Sequence, residues 1–128
     1  MAIQTIEQKR AKHALGKIQD IIKSEYKKEY LSYVKALPAN ILQNGFGQAM
    51  AMELAASHQA HKNLYKHLQS WLCEEQDNPN RPYKNTKNTD LISEITKNNQ
   101  TLYIQAQAEA MAYLAWLKKS AVAYLTDE

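Results

Sequence analysis

Apolar side chains recur every three or four residues through the first third of the chain, which leaves few folds open to it. At 100° per residue they fall on one face of a helix. The stripe comprises Ala11, Ala14, Leu15, Ile18, Ile21, Ile22 and Tyr26. We therefore expect a long amphipathic helix from residue 3 to about 35, with a bend or break within 24–33, where the stripe drifts.

The composition favours helices in the rest of the chain as well. Only three glycines and three prolines occur in 128 residues, while Ala, Leu, Lys and Gln are abundant and valine is scarce. A chain of this length buries enough surface for one domain. The sequence thus predicts a single all-α domain over residues 1–128, a compact bundle of about five helices.

Cysteine usage and hydropathy indicate where such a protein resides. The single Cys73 excludes an internal disulfide and a cysteine-based zinc framework, as expected in a reducing interior. No apolar run approaches the ~20 residues of a membrane span, and the first residues lack the basic and apolar regions of a signal peptide. We therefore expect a cytoplasmic protein.

Residues 37–52 hold one of the three prolines and two of the three glycines. Pro38 disfavours a helical residue before it and fits the first turn of a new helix, so we expect a helix from about residue 39 to 56. Strong helix formers follow Gly45 and Gly47, which predicts that both glycines lie inside it. Each costs about 1 kcal/mol relative to Ala, and close approach of another backbone is the expected reason.

This central helix is apolar on most of its circumference, and its last face is small and uncharged. We expect Leu42, Phe46, Ala49, Met50 and Leu54 to point inward. The small face favours contact with another subunit, as does a strip of small residues on the last helix with Trp116 at its margin. For Trp116, the core is the first alternative and a nucleotide stack the last. We place the subunit interface at Asn44, Gly45, Gly47, Gln48, Ala112, Ala115 and Trp116.

Three further helices follow from periodicity and capping residues. The first spans roughly 61–75, with Trp71 in the core. The second runs from a cap at Thr89 or Asp90 to about 97. The third runs from a cap at Asn99 or Thr101 to about 125, with Tyr124 in the inward stripe. Residues 74–89 are polar, rich in Asn and interrupted by two prolines, which predicts a loop. A loop of this length is expected to be mobile or ordered by a partner.

Positive charge is concentrated at the start of the chain. Residues 1–35 carry eight basic and four acidic side chains, whereas residues 36–128 carry eight and nine. Arg10, Lys17, Lys28 and Lys35 fall along one flank of the predicted first helix. Such a row either solvates a helix or contacts the phosphates of a nucleic acid, and composition leaves both alternatives open.

The sequence contains no motif for catalysis or for cofactor binding. A P-loop, a Gly-x-Ser-x-Gly elbow and a dinucleotide fingerprint are absent. Glu53, His58 and His61 could share a helix face, but without a Cys cluster or a Glu-x-x-His pair they are a weak metal signal. Glu53 points inward and needs a partner such as Lys118, or protonation. We expect no enzyme activity, no cofactor and no metal.

Leu37-Pro38 followed by residues 44–52 resembles the central signature of the Cmr small subunit, the helical protein of type III-B CRISPR effector complexes that target RNA. Flanking stretches are similar to that family too. They are Lys9-Arg10-Ala11 and 30–35 upstream, and Ala108-Glu109-Ala110 and 113–119 near the end.

The resemblance implies a non-catalytic subunit used in antiviral defence, whose copies stack as a short filament and line the path of the target strand. Its partners would be other CRISPR effector subunits, further copies of itself, target RNA and guide RNA. We place RNA contacts at Lys9, Arg10, Lys17, Lys28, Lys35, Lys118 and Lys119. The alternative is a helical adaptor that binds protein only, its lysines merely solvating a long helix.

Overall fold

The computed structural model describes residues 3–84 and 90–126, which form a helical bundle without strands. The helices are α1 (Ile6–Ile22), α2 (Lys27–Asn44), α3 (Phe46–Ala55), α4 (Gln59–Gln69), α5 (Leu91–Lys97) and α6 (Gln100–Leu125). Directly after α4 the chain makes one π-helical turn, Ser70–Glu74. The predicted all-α bundle is confirmed, with six α-helices in the described part rather than about five.

Helix α6 lies at the centre of the bundle. Its most extensive contacts are with α1, and α2 also packs against it. Asn99 caps its start by accepting a hydrogen bond from the Leu102 N–H, 2.9 Å away. The predicted start and end of this helix are confirmed. Its buried side chains are Ala106, Glu109, Ala110, Tyr113, Leu114, Leu117, Ala121 and Leu125.

The first predicted helix is two helices. Helix α1 begins at a capping box, in which Thr5 and Gln8 each bond the other's backbone N–H. It ends at Ile22, and the Ser24 hydroxyl donates to the Ile21 carbonyl just beyond that end. Residues 23–26 then separate α1 from α2, so the expected bend or break is present as a break, and the region up to residue 35 is divided between two helices.

Pro38 lies inside α2 rather than at the start of a new helix. Tyr30, Val34, Leu37 and Ile41 form one buried stripe that runs past the proline on both sides. The proline removes the hydrogen bond to the Val34 carbonyl. Burial of a continuous stripe outweighs that loss, so the predicted helix start at about residue 39 is wrong.

Gly45 separates α2 from α3, so the prediction of one helix through both glycines is wrong. Its φ of +89° and ψ of 155° lie in a region that only glycine adopts without strain. Gly47 does lie inside α3, as expected. The group that approaches Gly47 is the Tyr103 side chain and not another backbone. The Gly47 N–H donates to the Tyr103 hydroxyl at 2.9 Å.

The break at Gly45 also changes which apolar side chains are buried. Phe46, Ala49 and Met50 are buried as predicted, but Leu42 is 71% exposed. Leu42 follows Ile41, which belongs to the buried stripe of α2, and therefore points about 100° away from it. Tyr124 is likewise exposed on α6, beside the buried Leu125.

Residues 75–84 are anchored to the chain's own helices, whereas we expected a loop that is mobile or ordered by a partner. The buried Asn78 amide donates to the Trp71 carbonyl at 2.8 Å, and the Tyr83 N–H donates to the Leu72 carbonyl at 3.4 Å. The rest of the predicted loop, 85–89, lies outside the described residues. Among the described residues, no helix is both long and apolar enough to cross a membrane.

Candidate nucleic-acid interface

Arg10 is placed in an ion pair rather than on the surface. Its Nε and Nη2 donate to the two carboxylate oxygens of Glu109 at 2.7 and 2.8 Å, and Nη1 donates to Glu7 at 2.7 Å. Its side chain is 11% exposed. The bonds to Glu109 raise its pKa, against the effect of burial. These bonds join α1 to α6, which gives Arg10 a structural role in this fold. Its contact with RNA stays a prediction.

Glu109 collects further hydrogen bonds in the interior. The Trp71 indole N–H donates to it at 2.9 Å and the Asn80 amide at 3.4 Å. Burial alone would raise its pKa, but the bonds from Arg10 and Trp71 outweigh burial and lower it. Sequence reasoning missed this residue. Its spacing within the inward stripe of α6, between Ala106 and Ala110, is the signal that would have found it.

The other predicted cations on α1 are only partly available. Lys9 forms an ion pair with Asp77 at 3.2 Å. Lys17 is half-buried and lines shallow clefts together with Asp20. The negative charge of these aspartates reduces the attraction of both lysines for a phosphate.

Lys28 and Lys35 lie on α2, beyond the break at residues 23–26. Both are exposed and border a shallow surface with Leu31, Ser32 and Ala36. The break separates them from the lysines of α1. A single straight row of four cations is therefore not formed. Arg10 and Lys17 lie on α1, and Lys28 and Lys35 lie on α2.

A second exposed pair of lysines lies near the end of the chain on α6. Lys118 and Lys119 are both exposed, and the Lys119 ammonium lies 5.5 Å from the Trp116 ring centroid. Trp116 is half-buried, and its indole N–H donates to Glu7 at 2.8 Å. This side chain therefore joins α6 to α1 and presents only part of its ring to a partner.

An uncharged surface surrounds the junction of α2 and α3. No charged residue occurs in 36–52, and Asn44 and Gln48 are exposed there while Gly45 and Gly47 are half-buried. We call the exposed side chains of this region the uncharged surface: Leu42, Gln43, Asn44, Gln48, Ala51, Met52 and Ala55.

The remaining predicted interface residues lie elsewhere. Ala112 is half-buried and Ala115 exposed on α6. Tyr103, which contacts Gly47, precedes Ala115 by twelve residues, or about 18 Å along the helix. The two predicted interface patches are thus separate surfaces of the molecule.

His61 forms a hydrogen-bonded pair with Glu53, and His58 caps α4 by accepting a hydrogen bond from the Ala60 N–H at 3.0 Å. His61 Nδ1 lies 2.9 Å from a Glu53 oxygen, and the His61 ring stacks on Tyr33. Burial raises the Glu53 pKa, and the hydrogen bond with His61 opposes that shift. The partner of Glu53 is His61, so the prediction of Lys118 as that partner is wrong. Within residues 3–84 and 90–126, no three His, Cys, Asp or Glu side chains cluster as metal ligands.

Two further histidines, which the sequence did not single out, contact hydroxyl groups of the bundle; His67 is buried and His13 is half-buried. His13 contacts the Tyr113 hydroxyl at 2.6 Å and the Ser70 hydroxyl at 3.0 Å, and His67 contacts the Tyr30 hydroxyl at 2.6 Å. Burial lowers the pKa of His13 to about 4 and that of His67 to about 3. Both rings are therefore neutral at pH 7 and serve as hydrogen-bonding partners of core hydroxyls.

Comparison with known proteins identifies a family and a similar solved structure. Residues 6–124 match the family model described as CRISPR-associated protein (Cas_Cmr5). The fold is similar to the crystal structure of a CRISPR-associated Cmr5 family protein from Thermus thermophilus, with a TM-score of 0.78 and 25% sequence identity. The alignment covers 97% of this chain and 100% of that one.

Proposed function

Because the chain belongs to the Cas_Cmr5 family of CRISPR-associated proteins, we propose that it is a non-catalytic structural subunit of a type III-B RNA-guided effector complex. In this proposal several copies stack as a short filament beside other effector subunits, and exposed lysines hold the target RNA strand. The family match over residues 6–124 carries the proposal.

The two interface patches support stacking. A head-to-tail contact uses two different surfaces of each copy and can continue from one copy to the next. The uncharged surface and the region of Ala115 are such a pair, separated along α6. Leu42 is 71% and Met52 is 52% exposed, so the uncharged surface includes apolar side chains that a contact would bury.

The exposed lysines support RNA binding. Lys28 and Lys35 on α2, and Lys118 and Lys119 on α6, are carried by rigid helices and reach solvent. Phosphate contacts of this kind position a strand without reading its sequence. Binding should therefore be independent of base sequence and should weaken with salt.

A protein-only adaptor remains the second candidate, and the ion pairs of the α1 cations favour it. Arg10 is bonded to Glu109 and Lys9 to Asp77, so less positive charge is available for RNA than the sequence implies.

The two candidates differ in how charge reversal affects target binding by the assembled complex. If Lys28 and Lys35 contact phosphates, the double variant Lys28→Glu with Lys35→Glu should lower target-strand affinity. It should also flatten the slope of log affinity against log salt concentration by about one to two. The matched control reverses two other exposed lysines, Lys23 and Lys66.

Each result of this experiment has one meaning. An effect of the first pair alone supports the proposal. Equal effects of both pairs would show that bulk charge explains binding. No effect of either pair, with complex assembly intact, would favour the adaptor.

A further inference from the structure

A cleft of about 950 Å³ opens between residues 79–84 and the helices α5 and α6. It lies apart from the lysine pairs on α2 and at the end of α6. Its size is near the upper end of the range for small-molecule sites. The side chains that line it include three amides, from Asn80, Asn98 and Gln105.

Two buried polar atoms at this cleft have no hydrogen-bond partner among the described residues. They are Arg81 Nε and the Tyr83 hydroxyl, and both side chains line the cleft. Tyr83 is only 2% exposed. Buried polar groups are nearly always hydrogen-bonded, so two unsatisfied groups beside a cavity point to a ligand that completes them.

The charge of the cleft is positive. Two of its cations are matched by carboxylates, since Arg10 pairs with Glu109 and Lys97 pairs with Glu94 at 2.9 Å. Arg81 and Lys84 add two positive charges beyond these pairs. The ligand is therefore expected to be an anion with several acceptor oxygens.

We propose that this cleft binds single-stranded RNA, with one phosphate accepting hydrogen bonds from Arg81, Tyr83 and Lys84. The Asn80 amide donates to Glu109 and the Asn98 amide to Glu94. Their oxygens and the Gln105 amide suit the edges of unpaired bases. An acidic peptide could use the same cations, and competition with such an anion distinguishes the two ligands. The choice of RNA as ligand rests on the proposed function, whereas the site itself rests on the cleft.

The experiment is an NMR titration of the full chain with the dinucleotide pUpU, with triglutamate as the competing anion. The Arg81 Nε–Hε signal and the backbone amides of Asn80, Arg81, Tyr83 and Lys84 should shift on addition of pUpU. Losing a charge-assisted hydrogen bond should raise Kd about tenfold in Arg81→Gln. Tyr83→Phe should raise Kd by a smaller factor without lowering Tm, because its hydroxyl has no partner among the described residues.

Lys23→Gln is the matched control, since it removes one exposed lysine far along the chain from the cleft. It should leave Kd within about twofold. A circular dichroism spectrum of Arg81→Gln establishes that this variant is folded. If it unfolds, Tyr83→Phe and Lys84→Gln carry the test.

Three results would overturn the inference. They are the absence of pUpU-induced shifts at Arg81, a Kd that Arg81→Gln and Tyr83→Phe leave unchanged, and tighter binding of triglutamate than of pUpU. The last would identify an acidic peptide as occupant.

The outcome is independent of the test of the lysines on α2. If reversing Lys28 and Lys35 lowers target affinity in the complex but the cleft does not bind pUpU, only the proposed RNA site in the cleft is excluded. If the cleft binds pUpU and Lys28 and Lys35 have no effect, the proposed helix surface fails and the cleft stands.

Discussion

Single residues show how burial decides whether a cation is available to a ligand. Arg10 and Lys35 belong to the same predicted row, yet Arg10 is bonded to Glu109 and Glu7 while Lys35 is exposed. Two charges in the interior lose hydration, and mutual hydrogen bonds have to compensate that loss. The pair Arg10–Glu109 therefore acts as a unit.

Removing one member of this unit should cost more than removing both. Glu109→Ala leaves a guanidinium without its main partner and should lower the free energy of unfolding by about 3–5 kcal/mol. The double variant Arg10→Met with Glu109→Leu should cost less. Urea unfolding measures both, with exposed Lys12→Ala as the control. A loss below about 1 kcal/mol in Glu109→Ala would contradict the pairing argument.

Acid should destabilise the fold through its neutral histidines. The pKa of His67 is about 3 in the folded protein, against about 6.5 when unfolded. Between these pH values the unfolded chain binds more protons than the folded protein. The contribution of neutral His67 to stability is therefore fully present above about pH 6.5 and is lost as pH decreases.

For His67 the slope is at most about 1.4 kcal/mol per pH unit, and half-buried His13 adds a smaller amount in the same direction. Glu53, with its raised pKa, acts in the opposite direction at low pH. Urea midpoints at about pH 7.5, 6.5 and 5.5 test this. His67→Gln should reduce the slope, and an unchanged slope in that variant would assign the acid sensitivity to other groups.

At the scale of elements, the junction of α2 and α3 depends on one backbone conformation. Gly45 has a positive φ that ends α2 and begins α3, whereas Gly47 lies within the first turn of α3. The two glycines are two residues apart, and the same run of helix formers follows both. Only their conformations distinguish them.

These two glycines should therefore respond differently to alanine. Gly45→Ala should lower the free energy of unfolding by about 1–3 kcal/mol, because its conformation is strained for any other residue. A Cβ at Gly47 meets nothing closer than 3.5 Å, so Gly47→Ala should be neutral or stabilising by up to about 1 kcal/mol. Gly47→Leu should be destabilising, since its longer side chain meets Tyr103 and Ile95. Equal effects of the two alanine variants would refute the assignment.

The whole molecule presents two separated patches, which are the surfaces that the proposed stacking would use. Ala115 is exposed on α6, and Gln48 belongs to the uncharged surface. A charge introduced in either patch should affect assembly and not the fold.

Ala115→Glu and Gln48→Glu should each block incorporation into the effector complex while leaving Tm within a few degrees. Desolvating an unpaired carboxylate in a contact is costly, and the same group in solvent is not. Ala123→Glu, at an exposed position of the same helix, is the control. Normal incorporation of Ala115→Glu and Gln48→Glu, measured by affinity purification of the complex, would place the contact elsewhere.

Local patterns were sufficient for much of this fold. The periodic stripe of α1, the cap at Asp90 and the cap at Asn99 depend on residues three or four apart, and the elements they predict are present. The resemblance of residues 37–52 to the Cmr small subunit is confirmed by the family match as well. Interactions within one or two helical turns involve residues that are close in sequence, so a local pattern is enough to predict them.

Only the tertiary structure decided what depends on the packing of one helix against another. Arg10 meets a carboxylate 99 residues away, and the helix through Pro38 persists because its stripe is buried on both sides. The cleft at Arg81 and Tyr83 exists because residues 79–84 lie against α5 and α6. Such contacts join residues distant in sequence, and their free energy depends on a three-dimensional arrangement that no local pattern contains.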